Sequence, residues 1–437
     1  MDTQPMPNRT LDGALRDVEE RYTQRNPASH ARYQRATAAM PGGNTRTVLF
    51  YDPFPLTLAR GAGCRLWDID GHEYIDFVCE QSAALYGHSN PVIQAAAEKA
   101  LRDGIVLGGP NQYDVELAEQ VKLRFPSVDT LRFCNSGTEA NLLALVTARA
   151  VTGRQKVMFF QGGYHGGVLS FPSGPAPINV PIPAVMATYN DVEETAALIA
   201  ANAGELAAII LEPMMGGAGC IPATRAFLQM LRDQADAHGI VLIFDEVMTS
   251  RCSWGGIQAI HGIRPDLTSF GKYLGGGFAF GAFGGKAELM ARFDPRRPDH
   301  FNHPGTYNNA VCTMAAGLAG LTQVLTPDAS RRLNAMGDLL RDRLNQVAQA
   351  RGVAMQATGM GSLVNIHFAS WPIRNAGDAA RGNMPLRKLL HLELLTQDIY
   401  TSRRGFLPLS IPVGEAEVER LVGAVDAFLD RYGDLAA

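Results

Sequence analysis

The sequence predicts an α/β fold built on a mostly parallel sheet with helices on both faces. Strand-like apolar runs at 157–160, 207–211 and 240–244 alternate with helix-like segments at 141–150 and 225–237. This alternation is typical of βαβ units, in which crossover helices cover a parallel sheet. Ligands of such sheets bind at the carboxyl ends of the strands. Residues that follow these strands are therefore the first candidates for a functional site.

A second, smaller domain is predicted by a change of pattern near residue 326. Beyond it the chain reads as helices at 330–350, at 386–395 and from Glu415, with a strand at 363–368. At 437 residues the chain also exceeds what one hydrophobic core usually spans. We expect an N-terminal segment, a large domain and a C-terminal small domain, at 1–75, 76–326 and 327–437. The N-terminal segment, with a helix at 11–21 and a turn at 41–44, should pack beside the small domain.

The composition favours a soluble protein with a small-molecule partner. Hydrophobic residues make up 46% of the chain and charged residues 19%. The 39 basic and 43 acidic residues leave a formal net charge of -4. This balance gives no electrostatic footprint for nucleic acid or for an anionic membrane.

The cysteines and the N-terminal region bear on compartment and metal binding. The six cysteines are scattered, without a CxxC pair or a histidine at zinc-ligand spacing, so we expect reduced thiols and no metal site. Residues 1–30 lack the basic, apolar and small-residue pattern of a secretory signal, and no apolar run reaches membrane-spanning length. The expected location is the cytoplasm.

The strongest local signal is an aspartate and a lysine that follow two neighbouring strands. Asp245 ends the apolar run 240–244, and Lys272 follows a second short strand at 267–270. A parallel sheet can bring both side chains to the same edge. Such a pair suits pyridoxal phosphate, which needs an amine to form an imine and a carboxylate to keep its ring nitrogen protonated. Burial and nearby positive charge would help the lysine lose its proton. In isolation, the pair also fits a helix-capping aspartate and a loop lysine.

Three further segments place small polar residues at strand ends or helix starts. Residues 135–141 open an apolar helix whose amides suit a phosphate, although Ser136 and Glu139 also fit a capping box. The glycine-rich loop 162–167 could bring Tyr164 onto a flat heterocycle, or simply form a turn. The polar turn 305–309 before a helix at 310–324 suits either a phosphate or N-capping. The convergence of these weak signals in one chain favours a cofactor site.

Taken together, these motifs resemble the class III (ω-) aminotransferases of pyridoxal-phosphate fold type I. The similarity runs from about Met40 to the C-terminus. Its motifs read NSGTEAN at 135–141, GGYHG at 162–166, LEP at 211–213, FDEVMTS at 244–250, FGKYLGGG at 270–277 and GTYNN at 305–309. The resemblance implies a large domain with a mostly parallel seven-stranded sheet and a smaller α/β domain.

The resemblance also implies roles for the residues around the cofactor ring. Lys272 would bind pyridoxal 5'-phosphate covalently and later carry the proton between the substrate Cα and the cofactor C4′. Asp245 would pair with the pyridinium nitrogen. Tyr164 and Val247 would enclose the ring between them.

The phosphate contacts implied by the resemblance involve two subunits. Ser136, Gly137 and Thr138 would hold the phosphate of their own subunit. Thr306 would reach the phosphate bound by the other subunit, so the active form would be a homodimer, with the segment 1–75 contributing to its contacts.

Two branches of the family compete on substrate. The segments 41–46, 247–250 and 271–277 are similar both to glutamate-1-semialdehyde 2,1-aminomutases and to β-phenylalanine aminotransferases. The wider match to the latter is at 41–56, 280–285 and 398–406, and the chain departs from the aminomutases at 80–84 and Trp254. The leading expectation is a transaminase that moves the amino group of an aromatic β-amino acid to 2-oxoglutarate or pyruvate. The aminomutase is the alternative, followed by an ω-amine:pyruvate transaminase.

Two arginines are the candidates for binding substrate carboxylates. The resemblance places Arg46 and Arg404 near the pocket, and a guanidinium commonly fixes a carboxylate by two hydrogen bonds. A β-amino acid carries its carboxylate one carbon farther from the reacting carbon than an α-keto acid does. Two arginines at different distances from the reacting carbon could each bind one of these carboxylates. The alternative is that both arginines form ordinary surface ion pairs. Glu212 is a candidate gate for one of them.

Overall fold

The computed structural model describes residues 10–436 and contains the expected α/β sheet. Its seven strands lie in the spatial order Thr130–Cys134, Gly281–Gly285, Leu267–Gly271, Val241–Asp245, Leu206–Leu211, Lys156–Phe160 and Ala184–Ala187. Gly281–Gly285 is antiparallel to both of its neighbours, and the other adjacent pairs are parallel. Six of the seven strands therefore run in one direction.

Helices cover the sheet and build the ends of the chain. The right-handed α-helices of the described residues are Leu11–Arg25, Pro27–Ala39, Pro91–Asp103, Asp114–Arg124, Gly137–Thr152, Val192–Asn202, Arg225–His238, Gly256–His261, Ala287–Met290, Val311–Ala319, Pro327–Arg351, Ala376–Ala380, Met384–Leu395 and Glu415–Tyr432. None of the helices within residues 10–436 combines the length and apolar content that a bilayer crossing requires.

The central sheet buries side chains on both of its faces, because successive residues of a strand point to opposite sides. In the strand Lys156–Phe160, Phe159 joins a core cluster with helix Gly137–Thr152, whereas Phe160 joins another with helix Arg225–His238. Strands buried on both faces read as continuous apolar runs. This is why four of the seven strands, Lys156–Phe160, Leu206–Leu211, Val241–Asp245 and Leu267–Gly271, could be predicted from the sequence.

Smaller sheets connect the two ends of the chain. They comprise Leu58–Ala62, Arg65–Asp68, Glu73–Asp76 and Ile399–Tyr400; Gln356–Met360, Leu363–His367 and Phe406–Pro408; and Met214–Met215 with Ile221–Pro222. Glu73–Asp76 pairs in parallel with Ile399–Tyr400. On the N-terminal helix, Arg21 Nη2 donates to Glu393 Oε1 at 2.6 Å. The N-terminal segment thus packs against C-terminal elements, and the boundaries 1–75, 76–326 and 327–437 stay a prediction.

One predicted helix differs from the structure. The segment 310–324 divides into the α-helix Val311–Ala319 and a π-helical turn, Gly320–Val324. The apolar pattern runs through both, so periodicity alone could not separate them. A Cβ at Gly320 would come within 2.6 Å of the Tyr86 ring. Gly320 is the first residue of the π-helical turn, so the backbone packs closely against a residue far away in sequence where the helix changes.

Candidate active site

The carboxyl edge of the central sheet brings Asp245 and Lys272 into one cavity. Strands Val241–Asp245 and Leu267–Gly271 are parallel neighbours, and Asp245 pairs in register with Ser269. Lys272 follows the second strand directly. Both side chains line a cavity of about 970 Å³. This arrangement confirms that the two strands deliver the pair to one edge.

The Asp245 carboxylate is buried and held by three donors. Only 4% of the residue is exposed. Its Oδ2 accepts hydrogen bonds from Asn141 Nδ2 at 2.8 Å and lies 2.9 Å from His165 Nδ1, while Oδ1 accepts from the Val247 amide at 3.0 Å. These contacts fix the orientation of the carboxylate toward the cavity, since a carboxyl group with three partners has little freedom to rotate.

Lys272 is a partly buried amine without a carboxylate partner among the described residues. Its Nζ donates to the Gln81 carbonyl oxygen at 2.5 Å. Burial lowers the pKa of Lys272 to about 8, an effect opposed by Asp245 and reinforced by the buried guanidinium of Arg251. A lysine with such a pKa has a sizeable neutral fraction near neutral pH, which is the form that attacks a carbonyl carbon.

The Gln81 carbonyl group that accepts from Lys272 belongs to a left-handed turn, Cys79–Ser82. Cys79, Glu80, Gln81 and Ser82 have φ angles of 45°, 47°, 53° and 74°. For residues other than glycine this conformation costs roughly 1–2 kcal/mol each and seldom occurs in succession. Strain of this kind persists where the surroundings enforce it, and it clusters at functional sites.

The phosphate-binding candidates lie at the N-terminus of helix Gly137–Thr152. Ser136 caps the helix, since its Oγ accepts from the Glu139 amide at 3.2 Å. The Glu139 carboxylate accepts from the amide of Asn135 at 2.8 Å rather than from that of Ser136, so half of the expected capping box is formed. Gly137 and Thr138 line the cavity, whereas Ser136 is not among its lining residues. The first amides of this helix are suited to an anion.

Glycines shape the walls of this part of the cavity. A Cβ at Gly137 would lie 2.7 Å from Val247 Cγ2, and one at Gly166 would lie 2.2 Å from Thr138 Oγ1. A side chain at either position would have to displace Val247 or Thr138. Both glycines therefore let the backbone pack closely against residues that line the cavity.

Tyr164 and Val247 both line the cavity, and Tyr164 is 51% exposed. The Tyr164 amide donates to Glu212 Oε2 at 3.1 Å, and the Gly216 amide donates to Glu212 Oε1 at 3.0 Å. Burial raises the pKa of Glu212 to about 7, partly offset by His165. Within residues 10–436 Glu212 forms no ion pair with an arginine. The contact that a gate between Glu212 and Arg46 or Arg404 would need is therefore not formed in this structure.

Arg46 and Arg404 line the same cavity. Arg46 Nη2 forms an ion pair with Glu80 Oε1 at 2.5 Å. Arg404 Nη2 donates to the Gly217 carbonyl oxygen at 2.6 Å. Neither guanidinium is committed to a buried carboxylate in the described part of the chain, so both can turn toward a ligand.

Thr306 is the predicted site residue that lies apart. It is exposed, and it is not among the residues that line the cavity with Lys272. Its turn contacts the segment 105–111, where Asn111 Nδ2 donates to the Asn309 carbonyl oxygen at 2.8 Å. Within one subunit, Thr306 therefore does not complete the site.

Sequence reasoning assigned no role to several residues that shape the site. Asn141 and His165 lie within the quoted motifs, and a buried asparagine on an apolar helix is itself a signal. The Gln81 carbonyl gives no such signal, because any residue has a carbonyl oxygen. Arg251 is another residue that the sequence does not predict; it is fully buried and donates to the Ser82 carbonyl oxygen at 2.9 Å and to Ser362 Oγ at 3.0 Å.

Comparison with known proteins agrees with this geometry. The family model described as aminotransferase class-III matches residues 50–383. The chain is 49% identical over 430 residues to a β-phenylalanine transaminase from Variovorax paradoxus, covering 98% of this chain and 99% of that protein. It is 36% identical over 420 residues to a glutamate-1-semialdehyde 2,1-aminomutase from Sorangium cellulosum, covering 92% and 95%.

Solved structures give the same relationship. The crystal structure of a β-phenylalanine aminotransferase from Variovorax paradoxus superposes with a TM-score of 0.96, at 49% identity, over 98% of this chain and 99% of that one. An ω-transaminase from Sphaerobacter thermophilus superposes with a TM-score of 0.87, at 38% identity, over 92% and 97%. The expected fold type and cofactor, pyridoxal 5'-phosphate, are confirmed. The chain belongs to the class III aminotransferase family, as a pyridoxal-phosphate-dependent transaminase.

Proposed function

We propose that this transaminase moves the amino group of a β-amino acid, an aromatic one such as β-phenylalanine, to 2-oxoglutarate or pyruvate. The observation that carries the proposal is one cavity lined by Lys272, Asp245, Arg46 and Arg404. The likeness to a β-phenylalanine transaminase over nearly the whole chain supports the choice of donor. The cytoplasmic location expected from the sequence stays a prediction.

The residues around the cavity suit the cofactor in its chemistry. Pyridoxal phosphate supplies an aldehyde carbon and a ring that accepts electrons when its nitrogen is protonated. Lys272 provides the amine, and Asp245, fixed by Asn141 and His165, provides the negative charge for the ring nitrogen. Lys272 can then move the proton at the substrate carbon, because its lowered pKa lets it both accept and release a proton.

Binding of the cofactor would use the walls next to these groups. Val247 and Tyr164 are proposed to enclose the ring, and the start of helix Gly137–Thr152 is proposed to bind the phosphate. The positive end of the helix dipole favours an anion there. Among the three phosphate candidates, Gly137 and Thr138 line the cavity, whereas Ser136 would act through the backbone that it caps.

A homodimer would complete the phosphate site with Thr306 of the second subunit. In the turn that carries Thr306, Asn309 contacts Gly109 and Asn111. These two residues closely follow Ile105, Val106 and Leu107, which are 64%, 72% and 54% exposed. Exposed apolar residues in a row are typical of an interaction surface. Their place in the segment that contacts this turn supports the proposal that the turn lies at the subunit interface.

The pH dependence of cofactor attachment tests the state of Lys272. Since the pKa of this amine is about 8 instead of 10.5, its neutral fraction reaches about one half at pH 8 and levels off near pH 9. We expect the rate of covalent attachment of pyridoxal phosphate to the apoprotein to rise about tenfold between pH 6 and 7 and to reach a plateau above about pH 9. Stopped-flow absorbance measures this rate. A rate that keeps rising to pH 10 would contradict the lowered pKa.

The two arginines are tested by separate half-reactions. We propose that Arg46 binds the donor carboxylate and Arg404 the α-carboxylate of the keto acid. Charged hydrogen bonds contribute about 1.5–3 kcal/mol, so each loss should lower kcat/KM by roughly 10- to 150-fold. In stopped-flow experiments, Arg46→Ala should slow the reaction with β-phenylalanine far more than the reaction with the keto acid. Arg404→Ala should show the reverse bias.

The control for the arginines is Arg296→Ala, which removes an exposed guanidinium paired with Asp294. This variant should react at the parent rate in both half-reactions. Parent-like rates for Arg46→Ala and Arg404→Ala would reject the two-arginine arrangement. Should the parent ignore β-phenylalanine and isomerise glutamate-1-semialdehyde instead, the aminomutase alternative, to which the Sorangium relative points, takes its place.

A further inference from the structure

The left-handed turn Cys79–Ser82 holds two cations of the site with neighbouring residues. The Glu80 carboxylate contacts Arg46 Nη2 at 2.5 Å, and the carbonyl oxygen of Gln81 accepts from Lys272 Nζ at 2.5 Å. One strained element therefore contacts both the amine of the reaction and the guanidinium proposed for the donor carboxylate.

The turn is fixed from behind by buried groups. Asp76 Oδ1 accepts from the amides of Val78 at 2.7 Å and Cys79 at 3.1 Å. Arg251 donates to the Ser82 carbonyl oxygen at 2.9 Å. These contacts at both ends hold the unfavourable backbone conformation in place, so the position of the Glu80 backbone does not depend on a bound ligand.

Glu80 and Arg46 can exchange partners. Their side chains are 56% and 44% exposed, so the pair is weakened by solvent and can be broken at little cost. Within residues 10–436, Glu80 is the one carboxylate that Arg46 contacts. A substrate carboxylate that binds Arg46 through Nη2 would therefore compete with the carboxylate of Glu80 for that group.

We propose that Glu80 is a specificity-determining residue, an internal carboxylate that occupies Arg46 until a substrate carboxylate displaces it. The inference rests on the proposed role of Arg46. A transaminase binds two different substrates in turn, and a bare guanidinium would disfavour any apolar group placed beside it. With Glu80 in place, the charge of Arg46 is balanced whenever the bound molecule puts no carboxylate there.

The test measures binding to the holoenzyme without turnover. The probes are 3-phenylpropanoate, which has a carboxylate but no amino group, and its neutral amide. In Glu80→Gln the dissociation constant of 3-phenylpropanoate, measured by calorimetry, should fall roughly two- to fivefold, the range of an exposed ion pair. That of the amide should not fall. The matched control is Glu205→Gln, which removes an exposed carboxylate paired with Lys156 outside the cavity and should bind both probes like the parent.

A second variant separates this inference from the proposed function. Arg46→Met should weaken binding of 3-phenylpropanoate, and adding Glu80→Gln to it should then change nothing. If Arg46→Met weakens binding but Glu80→Gln alone leaves it unchanged or weaker, Glu80 does not compete, and the proposed role of Arg46 stands. If Arg46→Met binds the probe like the parent, Arg46 is not the carboxylate site, and the inference falls with it.

Discussion

Replacing Lys272 by alanine is expected to abolish transamination while the protein stays folded. The variant loses the amine that links to the cofactor and the group that moves the substrate proton, so turnover should fall by at least about 10⁴-fold, the upper range for acid–base catalysis. The visible absorption of the lysine-linked cofactor should disappear as well. Contacts at the start of helix Gly137–Thr152 are independent of the lysine, so pyridoxal phosphate should still bind.

Absorbance spectra and a coupled transaminase assay measure both effects, and circular dichroism reports the fold. Lys99→Ala is the matched control, because it removes an exposed lysine paired with Asp103 outside the cavity. It should keep the spectrum and the activity of the parent. Turnover by Lys272→Ala at the parent rate would remove Lys272 from the proposed chemistry.

The fold could be predicted where buried elements leave a recognisable pattern of apolar residues in the sequence. The strand predicted at 240–244 lies at Val241–Asp245, and the helix predicted at 225–237 is Arg225–His238. Residues buried on both faces must all be apolar, and this makes such strands visible without any partner. The ends of helices also depend on local sequence. Gly239, for example, takes the left-handed conformation directly after helix Arg225–His238 and ends it.

The site could be predicted only where it depends on side-chain type. Asp245 and Lys272 stand out because a charge at the end of an apolar strand is unusual. Asn141 and His165 lie inside recognised motifs, yet their contacts to the carboxylate follow from the packing of a helix and a loop that are far apart in sequence. Contacts between residues so far apart in sequence can be identified only from the assembled three-dimensional structure.

The turn that contacts Lys272 shows the limit of local rules. Left-handed backbone usually calls for glycine, asparagine or aspartate. Cys79–Ser82 contains none of them, because the conformation is enforced by Asp76 and Arg251 rather than by the preferences of its own residues. A sequence pattern therefore predicts an ordinary turn or helix start there.

Replacing Asp245 by asparagine should cost almost as much activity as the loss of the lysine. The amide has nearly the same shape but no charge, so it cannot hold the ring nitrogen protonated. Removing one partner of a buried charged pair typically costs 3–5 kcal/mol, which corresponds to a fall in kcat of roughly 10²- to 10⁴-fold. Cofactor binding should persist, because Lys272 and the helix start are unchanged.

The structural cost of this change must be separated from the loss of charge. Asp245 accepts from Asn141 and the Val247 amide on different oxygens, so the NH₂ of an asparagine faces at least one donor, and stability should fall by about 1–3 kcal/mol. Asp266→Asn is the matched control, since Asp266 is a buried carboxylate just before strand Leu267–Gly271 that accepts from Arg232 and the Leu242 amide outside the cavity. It should lower the melting temperature but keep kcat per folded enzyme. If Asp245→Asn retains the parent kcat at saturating cofactor, the carboxylate does not sustain the charge of the ring.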